Sequence, residues 1–163
     1  MIKVKNYIKD GDRFIPVEEF NGTLPDPEYI DSAMELIING IPIITCQEWD
    51  YMVPLWAYIA NGFEELAEKS EWKTYFPDQS IELIFRVDKQ RNEIEVKAFI
   101  PKSDMLNLPE ERRSAVINSG EFLTAMSEAG QSFFLRMAEI LPDEREDYEY
   151  EARRLRETVA ALQ

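Results

Sequence analysis

A helical repeat running from Thr45 to Lys69, TCQEWDYMVPLWAYIANGFEELAEK, constrains the fold of this chain more than any other stretch. Apolar and small residues recur at Trp49, Val53, Trp56, Ala60, Phe63 and Ala67, and a second row at Met52, Leu55, Ile59 and Leu66 widens the apolar face. A face that wide predicts a core helix lying across a sheet, with Trp49, Trp56 and Phe63 all in the interior. Thr45 followed three residues later by Glu48 predicts a capping box. Pro54 cannot donate to the carbonyl of Asp50, and its ring crowds that turn. The spacing therefore predicts a short turn, a bend near Asp50 to Val53, and a continuous helix to about Lys69.

Period-two alternation flanks this helix. Ile2, Val4 and Ile8 alternate with Lys3, Lys5 and Lys9, Asp10-Gly11 supplies a tight turn, and Arg13 to Glu19 returns as a strand with Pro16 requiring an edge. NGTLPDP, from Asn21 to Pro27, is turn chemistry throughout. Tyr29 to Ile38 reads as a strand, and Asn39-Gly40 predicts a type I′ hairpin into Ile41 to Ile44. After the helix SEWKTYFPDQS reads as a polar loop in which Trp72, Tyr75 and Phe76 either plug the core edge or form a contact surface. Ile81, Leu83, Phe85 and Val87 then alternate, as do Ile94, Val96, Ala98 and Ile100. Matching their apolar faces sets Val87 opposite Ile94 and Phe85 opposite Val96, with Arg86 facing Glu95.

The C-terminal third changes period. Pro109-Glu110-Glu111 suits a helix first turn, and Phe122, Met126, Ala129, Phe133, Met137 and Ile140 recur at helical steps. Pro142 ends that helix, and Tyr148, Ala152, Leu155, Val159 and Leu162 stripe another, serving either internal packing or a weak homodimer. The expectation is a single α+β domain over residues 1–163. It has a largely antiparallel sheet of about six strands, packed on one face by the central helix and the C-terminal helices.

The chain has no histidine, which excludes Ser-His and Cys-His nucleophile arrangements, and its glycines match no nucleotide-binding fingerprint. Cys46, the only cysteine, reads as a buried small residue or as a thiolate near a helix start. A lone cysteine and an N-terminus without an apolar run suit a complete cytoplasmic protein, and no window approaches a membrane span. Lys and Arg total 18 against 32 Asp and Glu, a formal net charge of −14. That charge repels nucleic acid and anionic membranes and favours basic partners. Asp143, Glu144, Glu146, Asp147, Glu149 and Glu151 crowd one helix start. They read as a solvated face with an ordinary Glu149–Arg153 ion pair, as a partner-binding face, or as a carboxylate metal site with acid–base chemistry. The expected cofactor set is empty.

The strand MELIINGIPIIT, the helix EWDYMVPLWAYIANGFEEL, the loop YFPDQ and the strand IELIFRV together resemble small bacterial immunity proteins of polymorphic-toxin and contact-dependent growth-inhibition systems. The resemblance covers about Tyr29 to Val87, and EFLTAMSEAGQSFFLRMAEILP is similar more loosely. It implies a non-enzymatic cytosolic protein that binds a cognate toxin domain, often a nuclease, and blocks its active site or its access to substrate. An acidic surface suits a basic nuclease domain. The candidate toxin contacts are Asp78, Glu82, Glu93 and Glu95, with Asp143, Glu144, Glu146, Asp147 and Glu149. An acidic adaptor domain of another bacterial complex is the competing class.

Overall fold

The structure is a computed structural model and describes residues 1–101 and 110–163. Its first sheet grows from two hairpins. β1 (Ile2–Asp10) pairs antiparallel with β2 (Arg13–Pro16), and Asp10 faces Arg13, so the turn residues are Gly11 and Asp12, one place beyond the expected pair. β2 is the sheet edge, where Pro16 breaks no ladder bond. β3 (Asp31–Ile38) turns through Asn39 and Gly40, at φ 51° and 81°, into β4 (Ile41–Ile44). Both residues take the left-handed conformation that a type I′ turn demands. β1 and β3 lie side by side, giving the order β2-β1-β3-β4.

The segment leading into the central helix departs from the helical repeat. Thr45 caps a 3-10 turn at Cys46–Glu48, and the Glu48 carboxylate accepts from the Thr45 amide at 3.0 Å, so the expected capping box is present. The chain then forms β5 (Asp50–Tyr51), which pairs with the start of β3, and only afterwards α1 (Met52–Glu65). Strand pairing and the buried Asp50 side chain hold this segment extended. Trp49 is consequently 36% exposed and outside the core, contrary to the helical reading. Pro54 falls in the first turn of α1, where its missing donor leaves no bond unmade. The helix ends at Glu65, and irregular turns carry the chain on to Lys69.

A second sheet, in the order β6-β7-β8-β9, follows from β6 (Glu71–Tyr75), β7 (Glu82–Asp88), β8 (Glu93–Ile100) and β9 (Glu111–Asn118). The register expected between β7 and β8 is observed, with Val87 opposite Ile94, Phe85 opposite Val96 and Arg86 opposite Glu95. Two expectations are corrected. β6 replaces the predicted loop, because Trp72 packs inward against Phe85 while Lys73 and Tyr75 face out. β9 replaces the predicted helix start at Glu110-Glu111, since Ala115 and Ile117 bury a period-two face while Ser114 and Val116 stay exposed. Pro109 lies outside the described residues. The α+β, antiparallel expectation holds, and the described residues form nine strands in two sheets instead of one sheet of about six.

α2 (Ser119–Ile140) begins at an Asn118 cap, whose side chain accepts the Glu121 amide at 3.0 Å. A 3-10 turn at Pro142–Glu144 leads into α3 (Arg145–Leu162). α1 and α2 run antiparallel: Trp56 lies beside Gly130, and Phe63 meets Phe122 with ring centroids 6.2 Å apart. α3 covers α2, its Tyr148, Ala152, Leu155 and Val159 turned inward, so internal packing uses most of that stripe. A polar node ties the layers together. The buried Trp56 indole donates to Asn6 Oδ1 at 2.9 Å, and Asn6 Nδ2 donates to the Ala129 carbonyl at 3.2 Å, linking β1, α1 and α2. Gly62 serves close approach, because a Cβ there would overlap the Trp72 indole. Among the described residues no helix is long and apolar enough to cross a membrane.

Candidate functional site

Helix direction decides where the charges gather. Met52 donates its amide to Ser32 at the start of β3, so the N-terminus of α1 marks one end of the molecule. α2 antiparallel to α1, and α3 antiparallel to α2, bring the C-terminus of α2 and the N-terminus of α3 to that same end. Tyr148 there stacks on Phe134, with centroids 6.2 Å apart. The carboxylates of Asp143, Glu144, Glu146, Asp147 and Glu149 are all exposed at this corner. Among the described residues none of the five has a cationic partner within 4.0 Å. The expected Glu149–Arg153 pair is replaced by one from Arg154, whose guanidinium lies 3.3 Å from Glu151 and 3.6 Å from Glu64. Arg154 also donates to the Ala57 carbonyl at 3.0 Å and so pins α3 to α1. Burial, with Glu144 and Asp147 nearby, pushes the Tyr148 hydroxyl above its ordinary pKa.

Asp78 reaches the same end by a different route. Asp50, only 2% exposed, accepts the backbone amides of Tyr51 at 2.7 Å, Asp78 at 3.1 Å and Gln79 at 2.9 Å. Gln79 Nε2 donates to the Trp49 carbonyl. The turn between β6 and β7 is thereby fastened to β5, with the Asp78 side chain exposed. Glu82 sits in the same hairpin opposite Tyr75, where its hydrogen bond to the hydroxyl raises the Tyr75 pKa. Asp31 and Tyr29 stand exposed beside Tyr51.

Glu93 and Glu95 are placed elsewhere. They lie toward the far end of β8, on a depression of about 590 Å³ that also takes in Ser70, Arg86 and Lys89. Glu95 is compensated by Lys97 at 3.2 Å and Arg86 at 3.7 Å. Seven of the nine candidate carboxylates, Asp78, Glu82 and the five of the α2–α3 corner, thus share an end that these two do not. Tyr29, Asp31, Trp49, Asp50 and Tyr51 are residues of this end that sequence periodicity does not reveal. The one signal was the Trp49-Asp50-Tyr51 alternation upstream of Pro54.

Cys46 lies on the first sheet's outer side near Glu35 and Arg113, and burial, then Glu35 and Glu48, raise its thiol above the ordinary 9.0. That is the reverse of thiolate activation. Among the described residues no three Asp, Glu or Cys side chains come together as metal ligands. Compared with known proteins, the chain matches no family model, no curated protein and no solved structure.

Proposed function

We propose that this chain is an immunity-type protein that binds a cationic toxin domain, a basic nuclease being the chemistry that fits best, and neutralises it by stoichiometric capture. The observation that carries the reading is the set of five exposed carboxylates between Asp143 and Glu149, none with a cationic partner within 4.0 Å among the described residues, on a corner where Arg154 ties α3 to α1 and Tyr148 stacks on Phe134. On a chain of net charge −14 such a corner attracts a basic surface over roughly a Debye length, about 8–10 Å at physiological salt. Asp78 and Glu82 extend the negative field across the same end. Capture places carboxylates where a nuclease would hold phosphates, which blocks its substrate face.

The reading requires a toxin gene beside this one, and calorimetric titration with the toxin domain that gene encodes, at low and at high salt, tests it. One-to-one binding of nanomolar affinity that weakens with salt supports the reading. Absence of heat at both salts removes it.

A further inference from the structure

Trp49, which helical periodicity would bury, stands instead on the first sheet's outer face, and Tyr29 and Tyr51 share that face. Along β3, Ser32, Met34 and Leu36 turn toward the helices, so Asp31 and Ala33 point the other way, and β5 lays Tyr51 directly beside Asp31. Tyr29 is 60% exposed and meets Tyr51 edge to face, with centroids 5.7 Å apart. Asp78 approaches Tyr51 from the β6–β7 turn. Burial, Asp78 and Asp31 together raise the Tyr51 pKa.

The same face shows how such rings are used. The Lys9 ammonium sits 4.5 Å from the Trp49 ring centroid, a cation held on an aromatic surface. The neighbouring Tyr29–Tyr51 pair carries no such cation among the described residues, and neither Asp31 nor Asp78 has a cationic partner within 4.0 Å. Two electron-rich rings beside two carboxylates that have no ion pair within 4.0 Å among the described residues complement a guanidinium, whose plane stacks on a ring while its N–H fork meets an oxygen. We propose that the face formed by Tyr29, Asp31, Tyr51 and Asp78 receives an arginine side chain of the cationic partner. This rests on the reading of the chain as a binder of a cationic protein, and it adds a short-range contact to the long-range attraction of the α2–α3 corner. The three backbone amides that donate to the Asp50 carboxylate hold Tyr51 and Asp78 in place beforehand, so little ordering is required on binding.

The test uses the whole chain, isotope-labelled, with capped hexa-arginine and hexa-lysine peptides followed by NMR. The expected result is that amides of Tyr29, Asp31, Tyr51 and Asp78 shift at lower peptide concentration than those of Asp143 to Glu149. Hexa-arginine should bind about fivefold tighter than hexa-lysine. Tyr29→Ala, at an exposed site outside the strands, should abolish that preference with the spectrum otherwise intact, and Asp31→Asn should weaken both peptides. Shifts confined to Asp143 to Glu149, equal affinity for the two peptides, or a preference that survives Tyr29→Ala would overturn the proposal. No toxin takes part, so a negative result leaves the proposed function standing. A toxin domain that fails to bind removes that function without touching the peptide result.

Discussion

Arg113 of β9 lies 2.5 Å from the Glu48 carboxylate, and both side chains are nearly buried, at 13% and 7% exposure. The same guanidinium donates to the Ile43 carbonyl of β4 at 3.4 Å and to Glu111 at 2.9 Å. This one side chain therefore joins the two sheets and the 3-10 turn at Cys46–Glu48. Replacing it leaves Glu48 buried without its cation, a loss of about 3–5 kcal/mol. Arg113→Met should lower the denaturation midpoint accordingly. Adding Glu48→Gln should cost less than the sum of the two single changes, and additive losses would show that the pair is not coupled.

Asp50 concentrates three backbone donors on one carboxylate. Asp50→Asn keeps the size and removes the charge and half the acceptor capacity, for an expected loss of about 1–3 kcal/mol. The amides of Asp78 and Gln79 should exchange with solvent faster than any others in the β6–β7 hairpin. Unchanged exchange there would mean that the turn holds itself.

Gly62 lets the Trp72 indole lie against α1. Gly62→Ala gains helix propensity, yet it forces its methyl group into that ring, a net cost of about 1–3 kcal/mol. Adding Trp72→Phe should recover part of the loss by making room. A stabilised Gly62→Ala variant would contradict the close approach.

The Glu71 carboxylate accepts a hydrogen bond from Arg86 at 2.7 Å, and that bond, with the arginine's charge, lowers its pKa from the ordinary 4.5. A depressed folded-state pKa stabilises the fold above the unfolded value, and the contribution is lost as pH falls below 4.5 toward the folded one. Carboxyl NMR should place the Glu71 midpoint below 4.5, and Arg86→Gln should move it upward. A midpoint unmoved by that substitution would deny the pairing.

Local chemistry made much of this fold legible. Asn39-Gly40, the Thr45–Glu48 box and the Val87–Ile94 register each depend on neighbours in sequence or on one hairpin, so pattern alone specifies them. The errors came where partners are remote. Trp49 fits the repeat of α1, but pairing of β5 with β3 and capture of residues 78–79 by Asp50 keep its segment extended. Glu110-Glu111 reads as a helix start because its acids suit a first turn, yet β8 offers an edge that Glu111 to Asn118 takes instead. The α2–α3 corner was visible as a charge run. Its union with Asp78, and the aromatic face beside it, depend on helix direction and on one buried aspartate that periodicity cannot announce.

The most direct measurement compares calorimetric binding of the toxin domain that the required neighbouring gene encodes to the wild-type chain and to a variant carrying Asp143→Asn, Glu144→Gln, Glu146→Gln, Asp147→Asn and Glu149→Gln. All five positions are exposed, so the variant should fold as the wild type does. Nanomolar wild-type binding, weakened about tenfold or more in the variant together with a shallower salt dependence, is the predicted result. Equal affinity and equal salt dependence in the two proteins would contradict capture by the anionic corner.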